Sequence, residues 1–251
     1  MTIPLQNGII YGPVKSRRFG RSLGINLLPS AYKICTFDCL YCQYGETSSA
    51  VPSFPSLDLI DKEVDDFFSD VHAQDMLIDW VTIAGNGEPT IHPQFDEAID
   101  IILRNRDRHL YKVPVGILSN SSTCHRPEIR RSLLKLDGRF MKLDAGNLAV
   151  FNRVNRPSAV EDYDQMIRGL RLLKPLVIQS MFIAGRIDNT REEDVNLWIE
   201  KIESIRPEAV QIYSIERSTR DTGILVVPKD KLEWVASRLK EKTGISSQVF
   251  S

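Results

Sequence analysis

Apolar, β-rich runs and amphipathic stretches alternate along this chain in a regular order. Six short runs read as strands: Leu23–Leu28, Trp80–Ala84, Val113–Ser119, Phe140–Asp144, Val177–Ala184 and Ala209–Ile215. Helical sequence, with apolar residues recurring every three to four positions, is expected near Asp58–His72, Pro93–Asn105, Pro127–Leu136, Ala159–Lys174, Glu192–Ile205 and Lys229–Thr243. In Glu192–Ile205, Val195, Ile199 and Ile202 share one face, while Glu192, Glu193, Glu200 and Lys201 can face water. Pro207 and Gly244 punctuate two helix ends. Strand and helix in repeated succession predict parallel βαβ units. A closed eight-unit barrel takes about 250 residues. Six units are visible in these 251 residues, so the expected fold is α/β, a partial (βα)6 TIM-like barrel. We divide it into an N-terminal extension, 1–22, and a barrel domain, 23–251.

Residues 35 to 42 read Cys-Thr-Phe-Asp-Cys-Leu-Tyr-Cys, placing three of the four cysteines on one stretch with C-x3-C-x2-C spacing. Thiolates are soft ligands that suit iron–sulfur clusters, zinc or Cu(I). A structural zinc site is normally closed by four protein ligands, and the remaining cysteine, Cys124, stands far downstream beside His125. A [4Fe–4S] cluster on three cysteines instead keeps one iron free for a small molecule.

A second motif follows in order. The apolar run Asp79–Ala84 leads into Gly85-Asn86-Gly87-Glu88-Pro89-Thr90, and an aromatic residue, Tyr41, precedes the last cysteine of the triad. Together these resemble the radical S-adenosylmethionine (SAM) superfamily. The resemblance implies an open half-barrel of the radical SAM type covering nearly the whole chain. It also implies a [4Fe–4S] cluster on Cys35, Cys39 and Cys42, with SAM chelated at the free iron through its amino and carboxylate groups. Gly85 and Gly87 would bring backbone close to the methionine amino group, with Glu88 anchoring their turn. Ser119 and Asn120 are expected at the methionine or ribose, Asp144 at the ribose hydroxyls, and Tyr41 at the adenine. Each has a plainer reading as a strand-ending turn, a loop cap or packing, and packing is the expectation for Phe37.

In parallel barrels the loops after the strands build the active site, which adds Ser121, Ser122, Thr123, Lys142, Gln179, Ser180, Gln211, Ser214, Glu216 and Arg217 by position. The flanks Tyr11–Asn26 and Phe151–Pro157 are similar to the catalytic core of the enzymes that build the wyosine base on tRNA. This chain lacks the additional lysine and cysteine features of those enzymes, so their activity is not the main expectation. Lys15, Arg17, Arg18 and Arg21 read as a solvated or barrel-closing segment or as anion ligands, and Arg153 and Arg156 as substrate-anion candidates or structural residues. Cys124 is expected to be a small buried residue, the commoner fate of a free cysteine. The histidines His72, His92, His109 and His125 are scattered and suggest no second metal site.

Composition narrows the function classes. With 42% hydrophobic residues the chain can bury a sizeable core, and a formal charge of −1 gives no global case for nucleic-acid binding. No apolar run approaches the roughly 20 residues that span a bilayer, and no export signal is visible. Clustered thiols suit a reducing, cytoplasmic setting. The resemblance implies a one-electron reductant such as flavodoxin or ferredoxin. It also implies reductive cleavage of SAM to a 5′-deoxyadenosyl radical that takes hydrogen from an unidentified small-molecule, peptide or protein substrate. The alternatives are a glycyl-radical-enzyme activase, a tRNA-base-modifying enzyme or a non-enzymatic metal-bearing module. A membrane partner is not expected, and nucleic acid is not favoured.

Overall fold

The computed structural model describes residues 3–71, 73, 75–157, 163–216, 219 and 221–250. In chain order the strands are β1 Ile10–Ser16, β2 Gly20–Ile25, β3 Trp80–Ile83, β4 Val115–Ser119, β5 Gly138–Lys142, β6 Val177–Phe182, β7 Ala184–Gly185, β8 Ala209–Ser214, β9 Ile224–Leu225 and β10 Ser247–Phe250. The helices are α1 Leu57–Asp70, α2 Phe95–His109, α3 Pro127–Leu134, α4 Leu148–Val154, α5 Tyr163–Leu172, α6 Glu192–Ile205 and α7 Lys229–Thr243. One curled sheet runs β1-β2-β3-β4-β5-β6-β8-β10. Its six central strands, β2 to β6 and β8, are mutually parallel, which is the expected partial (βα)6 barrel.

Strand periodicity sorts the residues into two faces. Leu23, Ile25, Val81, Ile83, Val115, Ile117, Ile178, Val210 and Ile212 alternate onto one face and are all fully buried. The residues between them, in register across the sheet, include Thr82, Phe140, Lys142, Gln179, Gln211 and Tyr213, and these line the concave face. Its floor is aromatic. Phe19, from the turn joining β1 to β2, lies 4.5 Å from the Phe140 ring and 5.8 Å from Trp80. The same turn reaches across to β8: Arg17 pairs with Glu216 at 2.8 Å, and the Arg18 guanidinium carbon stands 4.8 Å from the Tyr213 ring centre. The basic segment thus spans the open side of the half-barrel.

All six expected strands and six expected helices are present, with shifted ends. β2 begins at Gly20 because Ser22, which weakens the apolar run in sequence, bonds Thr82 side chain to side chain at 2.7 Å. α2 runs on to His109 because its polar last turn is bridged: Arg108 and His109 both reach Asp65, and Arg106 reaches Asp137. The expected helix ends at His72 and Ala159 lie outside the described residues. Five pieces were not expected, among them the short β7–β9 pair, which forms its own two-stranded sheet. β1 hides behind Gly12-Pro13, which interrupts its pairing with β2 between Tyr11 and Val14 and is tolerated on an edge strand. β10 adds a short parallel edge beside β8, and α4 follows β5. No described helix is long and apolar enough to cross a membrane.

Candidate functional site

The cysteine loop follows β2 and is held by backbone on two sides. On one side is the glycine turn after β3: Ile34 N–H donates to Asn86 O at 2.9 Å, and Glu88 N–H donates to Ile34 O at 3.1 Å. Gly87 has φ +143°, and a Cβ there would stand 1.6 Å from the Ile34 carbonyl oxygen. Only glycine permits that approach. Gly85 is packed likewise, with its missing Cβ directed at the Asn26 side chain. Gly87 therefore presses on the cysteine loop itself, a contact that the motif alone did not disclose.

On the other side stands α4, capped by Asn147, whose side chain accepts from Val150 N–H at 2.9 Å. The residues at and just past its end hold the loop: Asp38 N–H donates to Asn155 O and Arg156 O, and Leu40 N–H donates to Val154 O at 3.0 Å. Phe37 is buried edge-on against Phe151, with ring centres 5.2 Å apart, which is the packing role expected of it.

Glu88 is fully buried and saturated. Its Oε1 accepts from the Thr90 hydroxyl at 2.6 Å, the Thr90 N–H at 3.2 Å and the Ser119 hydroxyl at 2.9 Å, while Oε2 accepts from Asn120 N–H at 2.6 Å. One carboxylate thus locks the glycine turn to the end of β4. Burial still holds its pKa above the ordinary carboxylate value. The Ser119 hydroxyl is committed to this network. Asn120 extends to the cysteines: its Nδ2 lies 2.8 Å from Thr36 Oγ1 and 3.5 Å from Cys35 Sγ.

The three triad cysteines are half-buried. Burial pushes the Cys35 thiol up to about 12, opposed by Lys33 and reinforced by Glu88, and the Cys39 thiol up to about 11, reinforced by Asp144. Loading a cluster onto these sulfurs therefore releases protons. Lys33, which the sequence did not single out, is buried beside the loop, its ammonium 2.9 Å from Gly45 O and 3.3 Å from Asp38. Burial works against this cation, but the neighbouring cysteines and Asp38 outweigh it and raise its pKa. A buried cation and two amide donors at the sulfurs suit a negatively charged thiolate cluster. Among the described residues no three Cys, His, Asp or Glu side chains converge as a lone ion requires. In a cubane each thiolate binds its own iron.

Asp144 joins the other end of the site. Its Oδ1 accepts from Met181 N–H at 2.7 Å and faces Lys142 at 3.5 Å, while Oδ2 accepts from the Tyr41 hydroxyl and from Asn155 Nδ2 at 2.7 Å. Both oxygens are thus engaged by protein groups. Burial and the nearby Asp144 charge hold the Tyr41 hydroxyl well above its ordinary pKa, so it remains a donor. Lys142 also lies 2.8 Å from the Tyr213 hydroxyl. Burial works against its charge, yet Asp144 and Tyr213 outweigh that penalty and keep it a cation. Asn155, which the sequence shows only as part of a flanking motif, is buried and central. Its Nδ2 reaches Asp144, Tyr41 and, at 3.5 Å, Cys39 Sγ, while its Oδ1 is buried without a hydrogen-bond partner.

The other polar candidates mostly find partners within the protein. Gln179 donates to Gln211 at 2.7 Å, Ser180 to Leu143 O, Ser214 to Phe182 O, Ser121 to Lys142 O and Thr123 to Thr90, and Ser122 bonds Thr36. Arg153 and Arg156 are both exposed, and Arg156 lines a cavity of about 280 Å³ with Cys39, Cys42 and Asp221. Cys124 is fully buried, its thiol directed at Met166 O. His92, His109 and His125 each bond locally and do not gather. Arg217 lies outside the described residues.

Comparison with known proteins agrees with this geometry. A protein of Brachyspira hyodysenteriae named GTPase Obg is 31% identical over 249 residues, which cover 96% of this chain and 35% of that protein. A UPF0026 protein of Methanocaldococcus jannaschii is 31% identical over 191 residues, covering 73% of this chain and 56% of its own length. The chain therefore spans about a third to somewhat over half of these relatives. No glycine in the 251 residues precedes a lysine, so the GTPase name finds no phosphate loop here. Among solved structures, TYW1 with a lysine-pyruvate adduct bound superposes with a TM-score of 0.67 at 17% identity, covering 89% of this chain and 74% of that one. That likeness concerns the fold. The family model of the Radical SAM superfamily matches residues 30–197, more than half of the chain. The chain belongs to the radical SAM superfamily.

Proposed function

We propose that this chain is an enzyme that takes a hydrogen atom from a small-molecule substrate held on the concave face of the barrel. One observation carries the reading: the three-cysteine loop is clamped by backbone hydrogen bonds on both sides, and its Tyr41 and Cys42 line a cavity of about 460 Å³ that continues to Tyr213 and Glu216. That volume suits a small ligand. When bound to Cys35, Cys39 and Cys42, a [4Fe–4S] cluster supplies the electron that cleaves SAM to methionine and a 5′-deoxyadenosyl radical. The protein's own work is to bind and orient.

Lys33 balances negative charge at the cysteines, and Asn120 and Asn155 donate toward Cys35 and Cys39. Gly85, Gly87, Ser119 and Glu88 serve the methionine end of SAM by fixing the turn and the start of the cysteine loop. Tyr41 and Asp144 serve the nucleoside end. Because the Asp144 oxygens already accept from Met181, Tyr41 and Asn155, its role is to hold the Tyr41 ring and Asn155 in place, and a ribose hydroxyl would replace one of those donors. The electron donor is a small reductant such as flavodoxin or ferredoxin, and reduced thiols suit the cytoplasm.

The test is anaerobic reconstitution with iron and sulfide, then dithionite and SAM, with 5′-deoxyadenosine quantified against a Cys39→Ala control. Cluster-dependent release of 5′-deoxyadenosine in the wild type, with iron lost from the variant, is the expected result. Full iron and sulfide retention in Cys39→Ala, or a wild type that takes up neither cluster nor SAM, overturns the reading.

A further inference from the structure

The turn between β1 and β2 and the start of β2 carry three arginines with different fates. Arg21 grips Asp79 bidentately at 2.7 and 3.0 Å, and Arg17 pairs with Glu216 at 2.8 Å. Arg18 has no carboxylate partner among the described residues. Its guanidinium is held between the rings of Tyr213 and Phe19, at 4.8 and 5.7 Å from their centres, and its Nη1 is buried with no hydrogen-bond partner. The turn is fixed from below, since the N–H groups of Arg18 and Phe19 both donate to Ser16 Oγ at 3.2 Å. A rigidly stacked guanidinium with an unused buried N–H is an incomplete arrangement, because such a group ordinarily pairs with an oxyanion.

Arg18 lines the 460 Å³ cavity beside Cys42, and so does Lys15, an exposed lysine on β1 with no ion pair among the described residues. The carboxylates nearby are committed: Glu216 to Arg17, and Asp144 to Lys142, Tyr41 and Asn155. The cavity lining therefore carries three cations, Lys15, Arg17 and Arg18, against one carboxylate, Glu216, which Arg17 engages. The methionine carboxylate of SAM is expected on the other flank of the triad, where Asn120 lies 3.5 Å from Cys35. The Arg18 cavity instead borders Cys42 and the ends of β6 and β8.

We propose that this cavity recognises a small-molecule substrate through an oxyanion, a carboxylate or a phosphate, bound by Arg18 and Lys15. The proposal rests on the reading of the site given above and adds the chemical class of its substrate. Arginine supplies the directional, charge-assisted hydrogen bonds, and Lys15 at the rim supplies a mobile second charge. The bound anion would stand beside Cys42, which sets one end of the substrate and leaves its remaining carbons to extend toward the triad.

Inorganic phosphate and malonate serve as probes, titrated calorimetrically into the reconstituted full chain at constant ionic strength kept with chloride. Saturable binding of either probe is expected, weakened about tenfold in Arg18→Gln, as for loss of a hydrogen bond to a charged group, less in Lys15→Gln, and partly restored in Arg18→Lys. Preference for phosphate assigns a phosphate ester, and preference for malonate a carboxylic acid. Lys15→Gln, at an exposed position, keeps the test decisive if Arg18→Gln does not fold. Equal affinity in the wild type and the variants, no binding in the wild type, or simple competition between probe and SAM overturns the proposal. Cluster content and SAM binding measured on the same samples separate this failure from failure of the radical SAM reading.

Discussion

The two flanks of the cysteine loop are built on opposite principles. Toward the glycine turn, a single buried carboxylate, Glu88, meets only neutral donors from Thr90, Ser119 and Asn120, and backbone pairs with backbone across Gly87 and Ile34. Toward β5 to β8, charges face rings and one another: Lys142 with Asp144, Tyr41 and Tyr213, and Arg18 with Tyr213. The first flank is complete without a ligand and fixes geometry. The second carries unused capacity, in Arg18 Nη1 and Asn155 Oδ1. Rigidity and recognition are divided between the two sides of one loop.

The division breaks most visibly at the anchor. Glu88→Ala strands several buried donors, and Gly87→Ala drives a methyl group into the Ile34 carbonyl. Each should lower unfolding free energy in urea by about 2–4 kcal/mol and reduce iron retention in parallel. Normal stability with full iron content in both variants would show that the turn does not hold the loop. On the other flank the outcome should differ in kind. Asp144→Asn should keep its cluster but bind SAM about tenfold more weakly in equilibrium dialysis, as expected when one buried charge-assisted contact is lost. Unchanged SAM affinity would remove Asp144 from SAM recognition.

The smallest effect sharpens the comparison most. The Asp144 charge raises the Cys39 thiol pKa, whereas Cys35 answers to Lys33, Glu88 and Cys39. Neutralising Asp144 should therefore lower the Cys39 value from about 11 and leave Cys35 near about 12. In metal-free Asp144→Asn at alkaline pH, alkylation followed by mass spectrometry should find Cys39 modified faster and Cys35 at its wild-type rate. Equal acceleration of both would show that the two flanks are not electrostatically separate.

Much of the fold was legible in the sequence because parallel strands covered on both faces read as near-continuous apolar runs, and their loops gather at one end by topology. The triad stood out by its spacing, and the glycine turn and Asp144 by the family resemblance together with their places after strands. What stayed hidden shares a physical cause. β1 carries the breaker pair Gly12-Pro13, α4 is two turns long, and Asn155 owes its role to contacts more than a hundred residues away with Cys39 and Tyr41. Sequence pattern reports a residue's own element, whereas these roles come from which distant element lands beside it. The Asn147-to-Phe151 stretch, with an N-cap and apolar residues at helical spacing, was the one available signal for α4.

The turn that spans the open side of the barrel also orders events in time. Arg17 and its partner Glu216 are 199 residues apart, so this closure is among the most non-local contacts in the chain, and such contacts form late because their loops are costly to close. The glycine turn and α4, which hold the cysteine loop, lie within the first 156 residues. During synthesis the half that carries the cysteine loop can therefore be in place before β8 arrives to complete the cavity wall. If the proposed function holds, a nascent chain would acquire its capacity for iron before its capacity for substrate.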